Sequence, residues 1–272
     1  MIFVVGATGK VGRHVVAGLL GQGTDVRTLA RDPDSAGLPE RADVVRGDLS
    51  DLGGLEERVD GAEAVFLVWP FTTDEAAADV VDAIARHTRR IVYLSAEAAS
   101  QQPDSFWAAL ERLIEASGVE WTFLRPTGFA ANTRMWAAQI RDTGVVCWPY
   151  GEAARSLIDE SDIAAVAVRA LTEDGHVGAR YVLTGPETVT QIEQVHAIGE
   201  AIGRTLRWEE LSRDEARTQL TETLGYLPDS ALDTWATFVD NPETVTSTVE
   251  EVTGVPARTF AQWAFEHAEE FR

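Results

Sequence analysis

The chain has 272 residues, 45% of them hydrophobic and 25% charged, with 23 basic against 44 acidic side chains for a formal net charge of −21. That is enough chain to bury a sizeable core as one large domain or a domain with a smaller lobe. Such an acidic surface repels phosphate backbones and anionic bilayers, so neither a nucleic-acid nor a membrane partner is expected; the single cysteine, Cys147, excludes an intramolecular disulfide framework and a multi-cysteine metal site.

Met1 leads directly into Ile2-Phe3-Val4-Val5 and a glycine turn, without a basic n-region or a small-residue cleavage site. The longest apolar runs, such as Ala64 to Phe71, are too short to cross a bilayer, and a cytoplasmic protein is expected. Strand-like runs follow at Asp25–Ala30, Asp43–Arg46, Ala64–Trp69, Arg90–Ser95 and Glu120–Leu124. Several are apolar at consecutive positions, as strands covered on both faces should be. Between them the period changes to that of a helix. Val11, Val15, Leu19 and Leu20 share one face, as do Ala77, Val80, Val81 and Ile84, and Ser105 is placed to cap a third helix carrying Trp107, Leu110 and Ile114. Six strands alternating with helices predict an α/β fold, a doubly wound parallel sheet of the Rossmann type.

Beyond Pro126 the spacing predicts a helix around Met135–Ile140, an irregular Val145–Tyr150 stretch, a helix over Asp162–Leu171 and a strand over Arg180–Thr184. From Pro186 the reading is mainly helical: Thr190–Ile202, Arg213–Leu224 and Ala257–Phe271. The expected division is therefore a dinucleotide-binding domain over 1–126, with 156–185 returning to it. A smaller, mainly helical substrate-binding lobe takes 127–155 and 186–272.

Gly6-Ala7-Thr8-Gly9-Lys10-Val11-Gly12 follows the first strand and opens the first helix. Glycines there permit a tight turn, close backbone approach to a pyrophosphate, and close helix–sheet packing, while amides at the helix start meet the phosphate charge. The second strand ends Leu29-Ala30-Arg31-Asp32, so Ala30 stands where an NAD-selective fold places an acidic residue, and Arg31 follows. A guanidinium suits a 2′-phosphate, which favours NADP(H), with NAD(H) as the alternative. In the competing reading Arg31 is a solvated charge neutralised by Asp32 and Asp34. Lys10, Arg13 and Arg27 are placed to add to the local positive field. Asp48 and Leu49 follow the third strand, where adenine should lie. Trp69 and Ser95 end the fourth and fifth strands, positions that line a cofactor channel in such sheets.

These residues resemble the NmrA-like atypical short-chain dehydrogenases/reductases. The resemblance is carried by Val4-Val5-Gly6-Ala7-Thr8-Gly9-Lys10-Val11-Gly12, by Arg31-Asp32-Pro33, by Gly47-Asp48, and by Ser117 through Pro126. It continues through Leu157-Ile158-Asp159, Asp162-Ile163-Ala164 and the stretch from Thr253-Gly254 to Phe260. It implies a bound NADP(H) and a substrate cleft between the sheet and the C-terminal lobe. The family includes quinone and dye reductases and also NADP-sensing regulators.

Ordinary members of the wider superfamily protonate an alkoxide with a Tyr-x-x-x-Lys pair. Lys10 is the only lysine here, and none of Tyr93, Tyr150, Tyr181 and Tyr226 stands four residues before it. Trp107 and Glu111 hold the corresponding helix positions, and Trp107 departs from the histidine frequent in NmrA-like proteins. Glu111 is a candidate substrate ligand or weak base, or a simple partner of Arg112 or Arg125; Thr127 is the best-placed small polar group for a nicotinamide amide. Losing a positioned acid costs roughly 10²–10⁴-fold for a simple ketone. Quinones, enones, iminium ions and dyes absorb the arriving charge themselves, so the expected activity is NADPH-dependent hydride transfer to an electron-poor conjugated molecule. Phe129, Trp136, Trp148 and Tyr150 are candidate walls for a planar or aromatic substrate, against the alternative that they are lobe core. No histidine pair has metal-ligand spacing, so no metal is expected. The alternatives are an NADP(H)-sensing regulator without turnover, or a non-redox isomerase or cyclase on the same scaffold. As a small-molecule enzyme the chain is expected to be a monomer or homodimer.

Overall fold

The computed structural model describes residues 1–224 and 229–272. Its first half alternates strands and helices: β1 (Ile2–Val4), α1 (Gly12–Gly21), β2 (Val26–Ala30), β3 (Asp43–Arg46), α2 (Leu55–Val59), β4 (Ala64–Val68), α3 (Ala77–Ala85), β5 (Arg90–Leu94), α4 (Ala98–Gln101), α5 (Phe106–Ala116) and β6 (Glu120–Pro126). A 3₁₀ segment, Ala130–Trp136, leads into α6 (Ala137–Thr143), β7 (Val145–Trp148), β8 (Ala154–Arg155), α7 (Glu160–Thr172) and β9 (Ala179–Leu183). The remainder comprises β10 (Val189–Thr190), α8 (Gln191–Ile202), β11 (Arg207–Glu210), α9 (Arg213–Leu224), α10 (Asp229–Asp240), α11 (Thr248–Thr253) and α12 (Phe260–Glu266).

The chain divides into two compact units. The first contains Met1–Thr127, Glu160–Leu183 and Thr248–Val255; the second contains Gly128–Asp159, Thr184–Ser247 and Pro256–Arg272. The expected lobe took in all of 186–272, but Thr248–Val255 belongs to the first unit because α11 packs on α7 and β9.

In the first unit seven parallel strands run in the order β3-β2-β1-β4-β5-β6-β9, the doubly wound sheet read from the sequence. Phe3, Leu67, Ile91, Tyr93 and Phe123 are fully buried in its core. Such continuous apolar strands stabilise only when both faces are covered, and the intervening helices cover them. Gly18 lets α1 approach α7, since a Cβ there would lie 2.9 Å from Val168 Cγ2. The amino end of β5 is closed by buried Arg90, which donates to Glu120 Oε2 at 2.9 Å and to the Glu173 carbonyl at 2.8 Å. The chain leaves β1 toward β2 and β3, then returns to the other side of β1 with β4. That reversal is the topological switch point where sheets of this class bind ligands.

The second unit is built around Trp136, Ile140, Val195, Ile198, Phe260, Trp263 and Phe271, all buried. Capping boxes start α8 (Thr190 with Glu193) and α12 (Thr259 with Gln262), and these two helices pack together. Thr259 thus delays the helix predicted from Ala257, and its far end becomes a 3₁₀ turn, Ala268–Glu270. The irregular stretch Val145–Tyr150 instead contains strand β7, paired in parallel with β11. Its partner lies some sixty residues onward, so no local turn signal announces it. Helix α10 also escaped the sequence reading, and Tyr226 lies outside the described residues. Among the described residues no helix is long and apolar enough to cross a membrane.

Ser105 caps α5 as predicted, with the Ala108 N–H donating to its Oγ at 3.3 Å. Ser105→Ala should lower stability by about 1 kcal/mol, measured as a shift in the urea midpoint at unchanged m-value.

Candidate functional site

The turn from Val5 to Val11 sits at the switch point. Gly6 adopts φ +79°, and a Cβ there would lie 2.7 Å from Val68 Cβ. A Cβ on Gly12 would lie 2.1 Å from the Gly6 carbonyl oxygen, and one on Gly9 3.1 Å from it. The same oxygen accepts from the Gly9 N–H at 3.0 Å. Arg13 folds back over the loop, donating from Nη2 to the Thr8 carbonyl at 2.9 Å and from Nε to the Gly9 carbonyl at 3.3 Å. Thr8, Gly9 and Lys10 are exposed, Val11 and Gly12 buried, and the first turn of α1 carries no acidic side chain. First-turn amides of a helix have no intrahelical acceptor, so this bare-backbone cradle fits a diphosphate.

At the end of β2 the Arg31 side chain is 87% exposed, with Nε 3.9 Å from Asp48 Oδ2. Asp32 is engaged elsewhere: it accepts from Ser35 Oγ at 2.7 Å and from Arg46 Nη2 at 3.4 Å. Arg46 also donates to the Arg31 carbonyl at 2.8 Å. Arg27, expected to strengthen the positive field, is ion-paired with Asp43 at 2.7 Å. The Ser50 backbone N–H, donating to Asp48 Oδ1 at 2.8 Å, holds that carboxyl below its ordinary value, with a smaller contribution from Arg31. Leu49, expected among the cofactor-binding residues, is buried in the hydrophobic cluster.

Trp69, expected to line the cofactor channel, is buried likewise. Its indole donates to the Thr73 carbonyl at 2.7 Å and meets Phe71 edge-on at 5.0 Å. Ser95 and Glu111, expected as a cofactor ligand and a catalytic group, are bound to each other. Ser95 Oγ donates to Glu111 Oε1 at 2.6 Å, and Arg125 grips the carboxylate from Nε at 2.9 Å and Nη2 at 2.5 Å. Glu111 is 6% exposed and Arg125 14%. The hydrogen bond from Arg125 to Glu111 raises the arginine pKa further, so the guanidinium stays charged. Glu111 therefore braces the carboxyl ends of β5 and β6 and is not a base open to substrate. Burial, and then the Glu111 charge, pushes the Tyr93 hydroxyl far above its ordinary pKa; it has no hydrogen-bond partner among the described residues. Trp107 lies half-buried against Phe106, with ring centroids 4.2 Å apart. The Thr127 backbone N–H donates to the Leu183 carbonyl at 3.0 Å, and its hydroxyl reaches the same oxygen at 3.4 Å.

Within the second unit a cavity of about 200 Å³ is walled by Phe129, Trp136, Trp148 and Trp235, with Asn132, Gln191, Gln194 and Arg155 among its polar lining. Trp148 meets Trp136 edge-on at 6.1 Å and lies tilted against Trp235 at 5.8 Å. Three of the four predicted substrate residues therefore come together. Tyr150 is not among the described lining residues. It is the one non-glycine with positive φ among those described, 62°, and its N–H is held by Glu210 Oε1 at 2.5 Å. Arg155, Gln191 and Gln194 were missed. A lone Ala-Arg dipeptide and two amides at a helix start carry no local signal, and only the β8–β10 pairing and α8 bring them to one cavity. Among the described residues no group of three or more His, Cys, Asp or Glu side chains gathers as a metal site would require.

The sequence profile of the NAD(P)H-binding family matches residues 6–174. The chain is 40% identical to the (4-alkanoyl-5-oxo-2,5-dihydrofuran-3-yl)methyl phosphate reductase of Streptomyces griseus, over 100% of this chain and 99% of that protein. It is 33% identical to the NAD(P)H azoreductase of Xenophilus azovorans, again over 100% and 99%. Among solved structures it is similar to an NADPH-dependent quinone oxidoreductase from Escherichia coli, with TM-score 0.80 and 24% identity over 98% of this chain and 99% of that one. That last likeness is one of fold.

The buried brace makes a stability prediction. Arg125→Met leaves Glu111 charged and uncompensated, and should cost about 3–5 kcal/mol. Replacing both partners together, Glu111→Leu with Arg125→Met, should recover most of that loss in a double-mutant cycle followed by thermal and urea unfolding.

Proposed function

The chain belongs to the NAD(P)H-binding family, and from that premise we propose that it is an NADPH-dependent reductase delivering hydride to an electron-poor conjugated molecule. The observation that carries this reading is the cradle in which Gly12 approaches the Gly6 carbonyl more closely than any side chain permits. Two relatives that match the whole chain, at 40% and 33% identity, are named as reductases.

Gly6, Thr8, Gly9, Lys10, Val11 and Gly12 hold the diphosphate, chiefly through backbone amides. Arg31 forks onto the 2′-phosphate, its exposure leaving the guanidinium open to a bidentate contact. Asp48, whose lowered pKa keeps it an acceptor, takes the adenine amino group. Backbone at Leu49, Trp69 and Ser95 borders the channel, and Thr127 meets the nicotinamide amide. NADPH, when bound, supplies the hydride. Phe129, Trp136 and Trp148 hold a planar acceptor by ring contacts. The chain supplies no Tyr–Lys pair, Tyr93 is buried, and Glu111 is locked by Arg125. An acceptor that delocalises the incoming charge needs no such acid, and Trp107 serves only as a hydrogen-bond donor. The net charge of −21 disfavours nucleic-acid partners, and the chain is read as a cytoplasmic monomer or homodimer.

Following NADPH absorbance with a panel of quinones, enones and azo or triphenylmethane dyes tests the reading. Steady NADPH consumption with at least one conjugated acceptor is expected, and tight NADPH binding with none consumed would replace the reductase by a sensor. Arg31→Glu should weaken NADPH binding by roughly 10–100-fold, the value of one charge-assisted contact or slightly more, while NADH changes far less in calorimetry. Equal losses for the two dinucleotides would refute the 2′-phosphate assignment.

A further inference from the structure

We propose that the Arg155–Glu243 ion pair is the charge filter of the aromatic cavity, with Arg155 the specificity-determining donor to an oxygen of an uncharged planar substrate. This rests on reading that cavity as the substrate site. Arg155 is the one charged side chain among the described residues that line it. Its guanidinium is held from three sides. Nε donates to Glu243 Oε2 at 3.0 Å and Nη2 to Oε1 at 3.2 Å, while the Phe238 ring lies 4.6 Å from Cζ. Gly128 forms the remaining wall, where a Cβ would stand 2.7 Å from Nη2.

Glu243 is itself fixed. Beyond the arginine fork it accepts from the Ser156 N–H at 3.0 Å and the Ser156 hydroxyl at 3.3 Å, and its own N–H donates to the Ala154 carbonyl at 3.0 Å. The pair is largely out of solvent, with Arg155 20% and Glu243 12% exposed. Two consequences follow. The cavity carries a donor but no net charge, because the carboxylate cancels the guanidinium at contact distance. The fork also uses only Nε and Nη2, and a guanidinium has five N–H groups, so Nη1 retains donors that Glu243 does not take. A carbonyl or lactone oxygen accepts such an N–H without bringing an unmatched charge out of water. A sulfonate or phosphate meets a cation already neutralised, and an organic cation meets the guanidinium. The aromatic walls add the same cation–π preference to every variant, so the part played by the ion pair is read from the change in selectivity when one of its members is replaced.

The test uses the full chain and three two-ring probes: menadione (neutral), 2-naphthalenesulfonate (anionic) and N-methylquinolinium (cationic). Affinities come from equilibrium dialysis, without cofactor. Wild type should prefer menadione. In Glu243→Gln the guanidinium is uncompensated, and the affinity of the sulfonate relative to menadione should rise by about tenfold or more. In Arg155→Gln the carboxylate is uncompensated, and the same relative rise should appear for the quinolinium. Selectivity that moves in opposite directions in the two variants is the signature of the filter. Equal changes for all three probes, or no binding of any probe by wild type, would overturn it. If Arg155→Gln does not fold by circular dichroism, the isosteric Glu243→Gln alone decides, since an unchanged sulfonate-to-menadione ratio there overturns the filter. NADPH oxidation is read separately. Charge-selective binding without NADPH consumption would overturn the reductase and leave the filter standing, and NADPH consumption with unaltered selectivity would do the reverse.

Discussion

A helix can start beside a parallel strand with its amides presented to an anion only if the turn between them carries no side chains at its closest point. Here that point is the approach of Gly12 to the carbonyl of Gly6, where a Cβ would stand 2.1 Å from oxygen. Gly6 in turn lies against Val68 at the end of β4, so the turn is pressed between two neighbouring strands of the sheet. Arg13, folded over the Thr8 and Gly9 carbonyls, fixes the direction of the loop's dipoles. Ligand binding by this unit therefore depends on steric room before it depends on charge. The constraint is absolute, because no rotamer change relieves a clash with backbone.

Two kinds of charged group stand out: an exposed arginine at the end of β2, and buried charges that are paired. Arg31 stands open in a protein of net charge −21, and the nearest acidic competitor in sequence, Asp32, is occupied by Ser35 and Arg46. Glu111, by contrast, is enclosed and matched by a bidentate arginine and a serine hydroxyl, tying α5 to the carboxyl ends of β5 and β6. A carboxylate so held is a structural tie whose removal on one side is more costly than its replacement on both. The second unit repeats the pattern with Arg155 and Glu243, at a cavity wall where neutralisation leaves a donor behind.

The chemistry follows from what these arrangements leave without an acid. The chain's one lysine lies in the glycine loop, and its carboxylate nearest the classical proton-donor helix position is committed to Arg125. A reductase on this scaffold must therefore choose acceptors that tolerate hydride before proton. An aromatic cavity of about 200 Å³ suits flat, conjugated rings of that kind.

Read alone, the sequence determined the parallel sheet, the glycine turn between β1 and α1, the Ser105 cap and three of the cavity's aromatic walls. Each is signalled by residues a few positions apart, through periodicity of 2 or 3.6, a glycine spacing or a capping pattern. Tertiary structure decided the rest. The parallel β7–β11 pair, the lodging of Thr248–Val255 in the first unit, the burial of Leu49 and Trp69, and the locking of Glu111 all depend on partners distant in the chain. So does the pairing of Arg155 with Glu243, 88 residues apart. A side chain's charge can be read from one letter, but whether that charge is solvated, cancelled or presented to a ligand is set by which surfaces fold against it.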